Sequence, residues 1–302
     1  MDIFPFEFNE FIDMKNNRLL KKFLFEKELP CIYGYTVNFN KKRASSLLMV
    51  SLIPTCSLDS DQIIQSYLLE YITKSEVVIK HGNYEKTVKV KTLWEKRVNL
   101  AHKLKVPLYV VFWNEKKIYL VELENISEKE MKAEHLSWKE FAKKIGNLKS
   151  VRRQTKKLMY VETHPFEKRL LKYGVSSPGD LDGFEIAEDN RVIFYEFSTR
   201  NLPCEYLRKH DPNRFMDQDF RRWMAPMILK NQVPNGSINL VIWSPCCQKE
   251  IIIWEDVELK KNNEGNFKLE KKTIKILSLE GIRWDLNLNV IYLTRKGLLK
   301  VF

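Results

Sequence analysis

Residues 166–200 read FEKRLLKYGVSSPGDLDGFEIAEDNRVIFYEFSTR. Glu167 opens an amphipathic segment whose Leu170 and Leu171 predict a helix laid against a sheet. Ser176, Ser177, Pro178 and Gly179 end that helix. Asp180 and Asp182 follow at i, i+2, a spacing that turns both to one side of a strand. Glu185 to Arg191 reads as a hairpin turn, and Val192 to Phe197 is a β-prone run that holds one charge, Glu196. A carboxylate in such a strand is costly to bury unless it is paired or bound to a cation. Two outcomes satisfy that cost. Either Glu196 pairs with Arg191 or Arg200, or Asp182 and Glu196 meet from adjacent antiparallel strands at a hard cation. Mg²⁺, with Mn²⁺ as substitute, suits a few carboxylates completed by waters and a phosphate oxygen.

Further out, the chain repeats itself. Pro107-LYVVFW-Asn-Glu-Lys-Lys-IYLVEL-Glu124 is a pair of apolar strands around a polar turn, and Ile238-NLVIW-Ser-Pro-Cys-Cys-Gln-Lys249-EIIIW-Glu255 has the same form. Trp113 and Trp243 end the first strand of each pair, and each pair follows a helix-like segment, Leu93-WEKRVNLAHKL or Asp219-FRRWMAPMILKN. Upstream, Arg18-LLKKF resembles Arg169-LLKY, and Pro30-CIYGYTVNFNKKRASSLLMVSL resembles Pro178-GDLDGFEIAEDNRVIFYEFS. The expected fold class is α/β: two units, each a mixed central sheet flanked by helices. The expected boundaries are 1–150 for the first unit, 151–160 for a basic linker and 161–302 for the second, with a small β-rich extension from about 258. Where the second copy has Asp180, Asp182 and Glu196, the first offers Cys31, Ile32 and Tyr33 and then an uncharged LLMVSL strand.

The charge is uneven. Residues 1–160 carry 29 basic and 19 acidic side chains, the remainder 22 and 20. The excess peaks at Lys149, Arg152, Arg153, Lys156 and Lys157, five cations in nine residues without an acid. Such a run fits a polyanion, because each neutralised phosphate releases condensed counterions. Arg221 and Arg222, on a predicted helix, are further candidates for nucleic-acid contact. The same run read structurally is a solvated basic linker.

Other classes are excluded. No apolar run approaches the ~20 residues needed to span a bilayer, and the acidic N-terminus is unlike a secretory leader. A cytoplasmic, nucleoid-associated location without membrane contact is expected. Cys31, Cys56, Cys204, Cys246 and Cys247 fit neither a disulfide framework nor a zinc spacing, which predicts free thiols. There is no phosphate-binding glycine loop, no HExxH and no GxSxG elbow.

The pattern Gly179-Asp180-Leu-Asp182-Gly, a short turn, then Tyr195-Glu196-Phe-Ser198 resembles the acidic hairpin of the PD-(D/E)XK nucleases, the restriction-endonuclease-like superfamily. The similarity runs over roughly residues 164 to 256. It implies a Mg²⁺-dependent endonuclease acting on DNA, with Asp182 and Glu196 as metal ligands, Asp180 as the alternative first ligand and Glu167 as an outer or second-metal ligand. Ser198 stands where that family carries a lysine. Arg200, two residues on, and Lys209, on a following helix, are the expected replacements for its charge. His164 and Lys209 also resemble positions of viral cap-snatching endonucleases, which would make RNA the substrate. The alternative class is a nucleic-acid-binding or assembly protein that keeps the fold without cleaving. A homodimer or protein partner is left open by the sequence.

Overall fold

The computed structural model describes residues 29–51, 61–74, 76–81, 84–126, 131–149, 165–176, 178–244, 246–278, 292–293 and 299–300. Arg152, Arg153, Lys156, Lys157, His164 and Cys56 lie outside them. The architecture is mixed α/β, with two open mixed sheets and, among the described residues, six helices. None of these helices is long and apolar enough to cross a membrane.

The first sheet is built from β1 (Ile32–Asn38), β2 (Arg43–Val50), β5 (Leu108–Trp113), β6 (Lys117–Glu122) and β7 (Lys132–Ser137). Its crossover from β2 to β5 carries α1 (Asp61–Thr73), the hairpin β3 (Val77–His81) with β4 (Tyr84–Val88), and α2 (Val90–Leu104). Helix α3 (Trp138–Lys149) follows β7, and α4 (Pro165–Lys172) leads to β8 (Gly179–Leu181). The second sheet uses β9 (Gly183–Ile186), β10 (Val192–Thr199), β11 (Ser237–Ser244), β12 (Cys247–Glu255) and β15 (Thr273–Ser278). Its crossover carries α5 (Cys204–Arg208), a 3₁₀ turn at Pro212–Phe215 and α6 (Met216–Gln232). The β13 (Glu258–Lys261) and β14 (Phe267–Glu270) hairpin sits before β15. The expected β-rich extension is therefore partly an edge of the second sheet, because β15 pairs with β12 over Glu250–Glu255.

Both sheets follow one plan. In order of chain, the first strand pairs antiparallel with the second, the second parallel with the third, and the third and fourth antiparallel with their successors. The parallel step requires a long helical crossover in each case. The central strands are apolar runs, as in Leu108–Trp113, where all six residues are buried. The registers also match. Gly34, Leu48, Tyr109, Glu122 and Lys132 form a row across the first sheet. Gly183, Tyr195, Asn239, Glu255 and Thr273 form the corresponding row in the second. Trp113 and Trp243 lie four residues beyond Tyr109 and Asn239, which fixes the correspondence. It sets Tyr33 at the position of Asp182, Met49 at that of Glu196 and Ser51 at that of Ser198.

The seam between the sheets repeats this symmetry. Ile32 pairs with Leu181, its own counterpart. Tyr35 pairs with Gly179, and the counterpart contact is present too, Phe184 N–H donating to the Pro30 carbonyl at 3.0 Å. A residue pairing with its counterpart, flanked by reciprocal contacts, is the signature of an isologous, two-fold junction. Gly34 and Gly179 lack side chains because the seam is tight: a Cβ on Gly34 would sit 2.7 Å from the Pro178 Cβ.

Residues 165–172 and 179–181, expected with the second unit, pack on the first sheet. Helix α4 and strand β8 belong to the first sheet. Phe166 inserts among Tyr33, Trp113, Trp138 and Phe141, with ring centroids 5.3 to 6.2 Å away. Reciprocally, Leu29 packs on the second sheet, against the cluster of Tyr195, Phe197, Val241, Trp243, Ile251 and Ile253. Gln232 at the end of α6 ties the halves further, accepting from Ala44 N–H at 2.6 Å and donating to the Leu104 carbonyl.

Candidate functional site

Asp182 stands where the chain passes from one sheet to the other. Leu181 pairs in the first sheet and Gly183 in the second, so Asp182 is the single residue between. Gly183 lies opposite Tyr195, and one step further the register brings Asp182 against Glu196. Phe197 N–H donates to the Asp182 Oδ2 at 2.7 Å, which fastens this carboxylate to the backbone one residue past Glu196. Asp182 is half-buried. Glu196 is 6% exposed, in a strand otherwise apolar from Val192 to Phe197. It alternates with Tyr195 and Phe197, so its carboxylate lies on the sheet face opposite their cluster. A cavity of about 650 Å³, lined among others by Ile193, Tyr195, Asn239 and Ile253, opens on that other face and not on the acid side.

The other two predicted ligands go elsewhere. The charges of Glu167 and Asp180 act on the Tyr33 hydroxyl, whose pKa is raised first by burial and then by those two carboxylates. Among the described residues, the one group of three or more metal-ligating side chains with atoms within 4.8 Å is Cys204, Cys247 and Glu250. No three of Glu167, Asp180, Asp182 and Glu196 bring ligand atoms within 4.8 Å of one another. Glu167 lies on α4, and Asp180 on β8, which pairs in the first sheet.

The cations are placed as follows. Arg200 Nε donates to His210 Nε2 at 2.9 Å and its Nη1 to the Thr199 carbonyl at 2.8 Å. Burial and the Arg200 charge lower the His210 pKa, which keeps the ring neutral and able to accept. Lys209 is exposed at the end of α5. Arg191 lies 3.8 Å from Asp189. Arg221 and Arg222 lie on α6, with side chains outside the described part. Lys149 is turned inward, its ammonium donating to Ser176 Oγ at 2.6 Å and to the Ser176 carbonyl at 3.2 Å. Burial brings its pKa down to about 8. These bonds to Ser176 fasten the connection between α4 and β8.

The cysteines correct the sequence reading. Cys204 and Cys247 form a disulfide, 43 residues apart, joining α5 to β12. Their adjacent Glu250, 5% exposed, receives two bonds from Arg208, at 2.8 and 2.6 Å. With both sulfurs bonded and the carboxylate paired, this cluster is structural rather than metal-ligating. Residue spacing carries no signal for the disulfide, because the crossover that brings the two cysteines together is a tertiary feature. The same holds for His210 as the acceptor of Arg200. Arg97 was also missed: fully buried on α2, it donates to the Cys31 carbonyl at 3.0 Å beside the seam.

Asp182 and Glu196 offer hard oxygen donors, one of them pre-oriented by a backbone N–H, and this donor chemistry fits Mg²⁺ or Mn²⁺. No protein-family model matches the chain, and no curated protein matches its sequence.

Proposed function

We propose that this chain is a divalent-metal-dependent endonuclease, built from two restriction-endonuclease-like units of which the second holds the centre. One observation carries the reading: two sheets share order, polarity and register, yet an acid pair stands at one of the two matched positions, with Glu196 buried in an apolar strand. A buried carboxylate kept at such cost is a functional-site signal. DNA is favoured over RNA on fold analogy, and the excess of basic residues supports a polyanionic partner.

Asp182 and Glu196 would hold the ion, and when bound it would polarise the phosphodiester and acidify a water. Phe197 N–H keeps the Asp182 carboxylate aimed beside Glu196. Arg200, held by His210, follows the last residue of the strand that carries Glu196, and it supplies positive charge for the developing oxyanion. Lys209 is the second candidate for that role, exposed at the end of α5.

The test compares wild type with Asp182→Ala and Glu196→Ala on plasmid DNA and on single-stranded RNA, with Mg²⁺ or Mn²⁺. Loss of cleavage in both variants, with the fold retained by circular dichroism, is the expected result. Cleavage that survives both removes the site. Ser198 in place of the motif lysine favours a second reading, a nucleic-acid-binding protein without catalysis. Salt-sensitive binding with no cleavage by wild type under either metal would establish that one.

A further inference from the structure

We infer that the enzyme cuts one strand of a duplex per binding event, so that its product is a nick. This rests on the function proposed above and narrows its substrate and product. The two strands of a duplex are related by dyads perpendicular to its axis, and a protein with two-fold symmetry docks with its own dyad on one of them. The dyad is present here inside one chain. Ile32 pairs with its counterpart Leu181, and Tyr35–Gly179 is mirrored by Phe184–Pro30. Each unit therefore faces one strand.

Only the second unit carries acids at both matched strand positions. At the counterpart of Glu196 stands Met49, 0% exposed, whose thioether is a poor ligand for a hard cation. At the counterpart of Asp182 stands Tyr33, 7% exposed. It presents a phenol where the second unit has a carboxylate. The second unit breaks one P–O ester bond. A water oxygen takes its place on phosphorus. One water proton passes to the departing oxygen, and the other leaves as the new phosphate monoester ionises. The first unit grips the opposite strand without cleaving it.

The experiment follows supercoiled plasmid with Mg²⁺ and with enzyme limiting over DNA. A second arm uses a linear duplex labelled at the 5′ end of either strand in turn. Open circles that accumulate before any linear molecule, and label released from one strand at each cut position, are the expected results. Linear plasmid formed at the rate at which supercoils vanish, or cuts in both labelled strands at matched positions, overturns the inference while leaving the nuclease reading intact. No product from either substrate with Mg²⁺ or Mn²⁺ overturns both. Met49→Leu, a volume-conserving change in the first unit, leaves the nicked product unchanged.

Discussion

The two sheets of this protein share a plan but have been put to different use. The first has filled its seam end with Tyr33, Met49 and the aromatic group around Phe166. Among its buried polar groups, Thr36 and Ser46 share a hydrogen bond at 2.8 Å. The second keeps Asp182 and Glu196 at the matched positions, and it secures the nearby α5 by a disulfide and the Arg208–Glu250 pair. The first sheet carries a phenol and a thioether where the second carries two carboxylates, and side chains of that kind are the favourable ones to bury.

The largest effect expected from this contrast is on rate. Asp182→Asn and Glu196→Gln each lower cleavage by about 10²–10³-fold, the usual cost of removing one group that stabilises developing charge. Tyr33→Phe, at the position matched to Asp182, leaves the rate unchanged. Equal losses in initial rate from all three would erase the asymmetry between the sheets.

Next is the stability of the first sheet. Met49→Glu places a carboxylate where no exposure remains, and costs about 3 kcal/mol or more in urea unfolding unless the group protonates. Added Mg²⁺ does not restore the loss, because the position matched to Asp182 holds a phenol, Tyr33, in place of a carboxylate. Full rescue by Mg²⁺ would show that the first sheet still holds a metal site.

The seam gives a smaller effect. Gly34→Ala drives a methyl group to within 2.7 Å of the Pro178 Cβ, so β8 has to shift off β1. About 1–3 kcal/mol of destabilisation follows in urea unfolding, the range for overpacking a tight contact. An unchanged unfolding midpoint would mean that the seam is not a close-packed junction.

The smallest effect is a pH dependence. Lys149 has its pKa lowered by burial to about 8, against 10.5 for the unhindered group. Between those values the folded state binds fewer protons than the unfolded chain, so stability rises with pH across that window. Lys149→Met flattens this rise relative to wild type in unfolding midpoints taken from pH 7.5 to 10.5. A parallel rise in the variant would detach Lys149 from the effect.

The duplication was legible because it lies in local patterns. Pro107–Glu124 and Ile238–Glu255 each read as strand, turn, strand after a helix, and β5, β6, β11 and β12 form there. The apolar strand around Glu196 was legible for a related reason: an acid in an apolar run is a one-dimensional signal, and Glu196 is buried there. That Glu167 and Asp180 act on Tyr33 of the first sheet was not legible, because α4 and β8 reach that sheet through tertiary contacts. Nor was the Cys204–Cys247 disulfide, where the sequence shows no disulfide framework, because the crossover that joins the two cysteines is encoded by no spacing.

By itself, then, the chain's residue order determined the strands, their pairing within each hairpin and the burial of one acidic strand, since period and hydrophobicity act over a few neighbouring residues. Which sheet each connecting helix joins, which acids share a face and which cysteines meet were decided by tertiary structure. Those outcomes depend on how two similar surfaces close on each other, and the free energy of that closure belongs to contacts made between residues far apart in the chain.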